Sequence, residues 1–178
     1  DNEMPVVVTT GDITQTIMAP GTCESMVFVL PPSSTDNCGV LGFINDYNGT
    51  ANATDVYVAG VHLITWTVTD INGNITFASQ TITVIDTEIP TITAATDQTQ
   101  TADPGVCEAL VIITGPSIVD NCTNLTIVND YNGTSDASDT YPVGITTIVW
   151  TVTDNSGNSS TDTQNITVTD DENPSITA

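Results

Sequence analysis

Apolar and polar residues alternate along this chain in short runs. Ile64, Trp66 and Val68 are separated by Thr65, Thr67 and Thr69. Ile148, Trp150 and Val152 are separated by Val149, Thr151 and Thr153. A period of two is that of a strand with one face turned inward. Ile82 and Val84, alternating with Thr81 and Thr83, give the next strand. Asn72-Gly73-Asn74 and Ser156-Gly157-Asn158 mark the turns that lead into it. Further strands are predicted around 6–10, 26–30, 41–47 and 54–58, with counterparts in the second half. No segment carries a helical period. Short strands in this number, with one inward tryptophan per half, predict an all-β chain of two tandem Greek-key β-sandwiches.

The two halves are copies of each other. Trp66 and Trp150 are 84 residues apart, and so are Tyr47 and Tyr131, and Asp70 and Asp154. Aligned without gaps, 23–85 and 107–169 share 31 of 63 residues, which sets the period of an array. Asp1, Glu3 and Pro5 return as Asp86, Glu88 and Pro90, and again as Asp170, Glu172 and Pro174. The expected organisation is one repeat over 1–85 and a second over 86–169. Residues 170–178 then begin a third repeat or form a strand donated to another copy.

Composition alters this picture in one respect. The chain has no Lys or Arg against 22 Asp and Glu, a formal net charge of −22. Nothing can neutralise phosphate, so nucleic acid is excluded as a direct partner. Salt bridges from basic side chains cannot hold the fold, and self-repulsion favours expansion. Bound divalent cations are the natural counterweight. The chain is nonetheless 39% hydrophobic, with a mean hydropathy of +0.08, enough apolar residue to bury a core. Its 34 Thr suit strands. Without an apolar run of membrane-spanning length, no membrane insertion is expected.

Four cysteines lie in two pairs, Cys23 with Cys38 and Cys107 with Cys122, each pair 15 residues apart. Four cysteines allow three pairings. The repeat symmetry favours Cys23–Cys38 and Cys107–Cys122, and metal ligation is disfavoured because no His or second Cys lies at ligand spacing. Disulfides imply an oxidising compartment, so the chain is expected to be secreted or displayed at the cell surface.

The run from Tyr141 through Pro142, Val143, Gly144, Trp150 and Asp154 to Asn158 resembles the signature of the hyalin repeat (HYR) domain. Asp120-Asn121-Cys122 and the Asp86-to-Pro90 linker are similar to its other landmarks. The resemblance implies an immunoglobulin-like, extracellular, adhesion-associated module without catalysis. The first repeat matches more loosely, with Val58-Ala59-Gly60 where the second has Pro142-Val143-Gly144. The further Cys often found in that family's last strand is missing from both repeats.

In such a fold three acidic elements meet at one end of each sandwich. They are the segment before the first strand, the corner after the second, and the turn before the last. In the first repeat these carry Asp1, Glu3, Asp36, Asp70 and Asn74. In the second they carry Asp86, Glu88, Asp120, Asp154 and Asn158, and Asp170 and Glu172 start the same phrase again. Ca²⁺ takes six to eight oxygens from carboxylates, amides and carbonyls, which suits this set better than Mg²⁺. The competing reading is that Asp, Asn and Gly are there as turn residues. Asn48, Asn52, Asn74, Asn121, Asn124, Asn132, Asn158 and Asn165 each open an Asn-X-Ser/Thr sequon, so glycosylation fits an exported chain.

Catalysis finds no support. His62 is the sole histidine, and Thr146 takes its place in the second repeat. Asp46 with Asp55 recurs as Asp130 with Asp139, but a small sandwich offers such carboxylates no cleft. The expected role is structural: a subunit or segment of an extracellular fibre or adhesin stalk built from calcium-stiffened repeats. Its partners would be copies of itself or further repeats of the same chain. The alternative is a calcium-dependent adhesion or glycan-binding module of a larger surface protein.

Overall fold

In the computed structural model, which describes residues 1–174 and 176, the chain forms two compact units, Asp1–Thr87 and Glu88–Ala178. Of the segment 170–178, residues Ser175, Thr177 and Ala178 lie outside the described residues.

The first unit runs β1 (Val6–Val8), β2 (Ile13–Thr16), β3 (Glu24–Val27), β4 (Ser33–Thr35), β5 (Val40–Asn45), β6 (Asp55–Val58), β7 (Gly60–Asp70) and β8 (Ile75–Ile85). One sheet has the order β2-β8-β7-β5, and opposite it β1 pairs with β4 and β3 with β6. The second unit repeats this with β9 (Thr91–Thr93), β10 (Gln98–Thr101), β11 (Glu108–Val111), β12 (Ser117–Val119), β13 (Leu125–Asn129), β14 (Asp139–Pro142), β15 (Gly144–Asp154) and β16 (Ser159–Thr169). Its sheet order is β10-β16-β15-β13, with β9 paired to β12 and β11 to β14. Each unit is thus an all-β sandwich of the expected class.

Two elements of each unit escaped the sequence reading, and both have local causes. β4 is cut from β3 at Pro31-Pro32, and β12 from β11 at Gly115-Pro116, because proline cannot donate to a ladder. β2 is a short strand running parallel to β8, reached by a crossing of the chain from one sheet to the other through Gly11 at φ +93°. Gln80 stabilises that crossing: its side-chain amide donates to Thr10 Oγ1 at 3.0 Å and to the Gly11 carbonyl. Gln164 donates to the Thr96 carbonyl at 3.0 Å at the equivalent place.

The core follows the alternation. Ile64, Trp66 and Val68 are fully buried on β7, and Ile148, Trp150 and Val152 on β15. Tyr57 and Tyr141 are also fully buried, each donating its hydroxyl to a carbonyl four residues back, Ala53 at 2.6 Å and Ala137 at 2.5 Å. Tyr47 stacks on Tyr57 at 4.2 Å between ring centroids, and Tyr131 on Tyr141 at 4.4 Å.

The cysteines correct the expected pairing. Cys38 and Cys107 carry free, exposed thiols, so neither Cys23–Cys38 nor Cys107–Cys122 forms. Cys23 and Cys122 are disulfide-bonded. Strand direction gives the reason. The Cys23 carbonyl accepts from Ala59, beside Gly60 at the start of β7. Cys38 precedes Gly39, whose carbonyl accepts from Ile71, just beyond Asp70 at the end of β7. Eleven strand residues separate those ends by about 33 Å, whereas a disulfide needs Cα atoms within about 7 Å. The same holds for β15, with Cys107 bonded to Val143 at its start and Cys122 just ahead of Leu125, which faces Asp154 at its end.

Candidate metal centre at the leading poles

Each sandwich has a leading pole, where its chain comes in, and a trailing pole, where its chain leaves. Val6 pairs with Thr35, and Val40 with Asp70. These pairings bring the residues before β1, the corner after β4 and the turn after β7 to the leading pole. Asp1, Asp36 and Asp70 there offer carboxylate oxygens that all lie within 4.8 Å of one another.

Asp70 is carried inward by the strand period itself. It falls on the same face as Ile64, Trp66 and Val68 and is fully buried. Its Oδ1 accepts the amides of Asn72 at 2.9 Å and Asn74 at 2.7 Å. Its Oδ2 accepts the Asn74 side chain at 2.7 Å. Burial pushes its carboxyl up, but these hydrogen bonds outweigh burial and hold it below the ordinary carboxylate range. Asp36 turns Oδ1 to the amides of Cys38 at 2.9 Å and Gly39 at 3.1 Å, while its Oδ2 is buried and makes no hydrogen bond. A buried carboxylate oxygen without a donor is costly unless a cation meets it. With no Lys or Arg in the chain, a metal ion is the fitting donor set's natural complement.

The other expected ligands are placed less directly. Glu3 contributes only its amide, donated to Asp1 Oδ1 at 3.0 Å. Asn74 is a positioning residue, since its side-chain amide donates to Asp70 and, at 3.4 Å, to the Asp1 carbonyl. Asp86 is buried and Asp120 is half-buried. The Cys122 sulfur is in a disulfide and is no thiolate. Asp120 repeats the behaviour of Asp36: Oδ2 accepts the Cys122 amide at 3.0 Å and Oδ1 is buried without a hydrogen bond. Asp154 is buried and held by Asn158 as Asp70 is by Asn74, and Glu88 is exposed. Asp170 and Glu172 stand at the opposite, trailing pole of the second unit. Asp170 Oδ1 accepts the Glu172 amide at 2.9 Å, and both Glu172 carboxylate oxygens lie 3.2 Å from the Gly105 amide.

The sequons divide by geometry. Asn74 and Asn158 have their side-chain amides on Asp70 and Asp154. Asn165 donates to Asp97 at 3.2 Å, and Asn48 to the Asn52 carbonyl at 3.1 Å. Asn121 is half-buried. Asn132 is exposed but ties its side-chain amide to the Asp136 carbonyl at 2.9 Å. Asn52 and Asn124 are exposed. Expression in a host with N-glycosylation machinery should place glycan on Asn52 and Asn124 and leave Asn74 and Asn158 bare. Peptide mapping checks this, and glycan on Asn74 would contradict the assignment. His62 is half-buried, its Nε2 2.9 Å from the Val58 carbonyl and its ring against Tyr47 and Tyr57.

The HYR domain family matches residues 85–168. Hyalin of Lytechinus variegatus is 31% identical over 175 residues, 94% of this chain and 31% of that protein. Hyalin of Strongylocentrotus purpuratus is 32% identical over 158 residues, 86% of this chain and 12% of that protein. The chain therefore spans about an eighth to a third of the curated relatives it matches. Among solved structures, the extracellular cadherin domains 1–2 of human protocadherin-24 align over 95% of this chain and all of that one, at 11% identity and a TM-score of 0.37. With its second repeat matched over its length and hyalin relatives aligned along both repeats, the chain belongs to the HYR domain family.

Proposed function

We propose that this chain is a stretch of an extracellular, adhesion-type array of β-sandwich repeats, each clamped at its leading pole by a calcium ion. The carrying observation is the buried Asp36 Oδ2, which has no hydrogen bond and lies in a group with Asp1 and Asp70, in a chain with no Lys or Arg. Three carboxylates from three separate segments repel one another unless a cation joins them. An ion there ties the segment before β1 to the corner after β4 and to the end of β7. Its role is structural: it anchors the strand that leads into each sandwich. Extracellular calcium modules bind at about 10⁻⁴–10⁻³ M, so the site would be filled outside a cell and empty inside it. The hyalin relatives support the array, because this two-repeat chain aligns along only part of each.

Calcium should raise the melting temperature and chelation with EDTA should lower it. A ligand held at a hundred times its Kd stabilises the folded state by about 2.7 kcal/mol. Asp36→Asn should remove most of the calcium-dependent shift in the first unit while leaving it folded, since Oδ1 keeps its turn. Identical melting in EDTA and in millimolar calcium would refute the clamp.

A further inference from the structure

Asparagine followed by glycine is chemically labile, because glycine has no side chain to keep its amide nitrogen away from the asparagine side-chain carbonyl. The chain has three such pairs, Asn48-Gly49, Asn72-Gly73 and Asn132-Gly133. The fold treats them differently. Asn48 is tied at both ends. Its Oδ1 accepts from the Asn45 side chain at 2.9 Å, and from the Thr50 amide at 3.2 Å and hydroxyl at 3.0 Å. Its Nδ2 donates to the Asn52 carbonyl at 3.1 Å and to Asp55 at 3.3 Å. Asn132 repeats this with Asn129 and Thr134 on Oδ1 and the Asp136 carbonyl on Nδ2. Asn72 is exposed in the turn between β7 and β8. Its backbone amide donates to Asp70 Oδ1 at 2.9 Å, and among the described residues no hydrogen bond restrains its side chain.

The amide that would react with Asn72 is loosely held as well. The Gly73 N–H donates to the Asp70 carbonyl at 3.3 Å, at the long end of such bonds. Gly73 is exposed, with φ +92° and nothing within 4 Å of where a Cβ would stand, so solvent reaches both groups. A side chain free to rotate can bring Cγ to that nitrogen, whereas one tied at both ends must first break its bonds. In the second unit Ser156 stands where Asn72 does, and it has no amide to lose.

We propose that Asn72 is a site of spontaneous deamidation, converting to aspartate and isoaspartate while Asn48 and Asn132 stay amides, and that isoaspartate there releases the calcium clamp of the first unit. Base takes the Gly73 amide proton. The nitrogen bonds to Asn72 Cγ, the Cγ–Nδ2 bond breaks, and Nδ2 leaves as ammonia with a proton from solvent. Water then opens the cyclic imide at one of its two carbonyls. Opening at Cγ gives aspartate. Opening at the main-chain carbonyl gives isoaspartate, whose backbone runs through Cβ and Cγ and is longer by one atom. One water enters, one ammonia leaves, and no oxidant is needed. The extra atom falls between the Asn72 and Asn74 amides, which both serve Asp70 Oδ1, at 2.9 and 2.7 Å. Asp70 keeps the first and loses the second, together with the Asn74 side chain on its Oδ2. The release rests on the calcium reading; the conversion does not.

The test is to age the 178-residue chain in warm, mildly alkaline buffer and map its peptides by mass spectrometry. The Asn72 peptide should split into aspartate and isoaspartate forms while the Asn48 and Asn132 peptides keep their amides. In urea all three should convert alike, since the side-chain ties are gone. Conversion of Asn48 or Asn132 ahead of Asn72 in folded protein, or the same selectivity in urea, would overturn the proposal. Aged protein should lose the calcium-dependent protection of β7 and β8 from hydrogen exchange, and aged Asn72→Ser, which takes the second unit's residue, should keep it. Asn72→Asp adds charge without the extra backbone atom and should keep it too; its loss there would overturn the account of the release. Fresh protein in which calcium protects nothing would sink the clamp itself, and the peptide map would still decide the conversion.

Discussion

Trp150→Ala should cost the second sandwich about 3–5 kcal/mol, the range for truncating a fully buried large aromatic. Trp150 has no exposed surface and packs with Ile148, Val152, Tyr141 and Ile166 in one cluster. Its indole N–H also donates to Gln164 Oε1 at 3.4 Å, so truncation leaves that buried amide oxygen without this donor. A small domain has about 5–15 kcal/mol in total, so the loss takes a large share of it. Hydrogen exchange should show protection of β15 and β16 falling by that amount while β7 and β8 keep theirs. A loss below about 1 kcal/mol would mean the core does not hinge on the inward tryptophan.

Stability should be flat between the ordinary carboxylate and phenol ranges and fall off at both sides. On the acid side, Asp70 is lowered by its turn amides against the push of burial. Asp97 is lowered by the Asn165 amide and side chain, Asp136 by Ser138, and Asp162 by the amides of Ala94 and Thr163. A carboxyl lower in the folded state than in the unfolded one binds its proton first on unfolding. Its contribution is whole above the ordinary value of about 3.9 and is lost as pH falls through the folded value. On the alkaline side, burial first, and then the neighbouring tyrosine and carboxylates, push Tyr57 and Tyr141 up to about 12. Their contribution is whole below the unfolded value of about 10 and is lost as pH rises through about 12. Urea midpoints across pH report the first limb. Absorbance of phenolate reports the second, and ionisation of Tyr57 and Tyr141 near 10 in folded protein would contradict it.

Much of the leading pole was legible before folding was considered. The Asp-X-Glu phrase, the Asp-Asn-Cys corner and the Asp-to-Asn turn are short motifs, and their meeting follows from strand order alone. The inward aim of Asp70 was also readable, since 64, 66, 68 and 70 share one parity, though the residue looked like part of a turn. What stayed hidden was the division of labour. Asn74 and Asn158 are donors that hold Asp70 and Asp154, Glu3 gives only its amide, and Asp36 keeps one oxygen unspent. Those roles depend on which lone pair each backbone amide reaches, and no spacing encodes that.

Alternation, turns and period are local or repeating, so β5 to β8, their inward faces, the duplication and the lack of Lys and Arg to balance the acids could all be read along the chain. The cysteines show where such reasoning ends. Fifteen residues apart along the chain suggested a short loop, but the intervening chain runs the length of a sandwich instead of turning back. Cys23 and Cys38 therefore finish at opposite poles. Which cysteines can meet is a question of distance in space, and that distance is set by strand direction, which emerges only when the sheets pack.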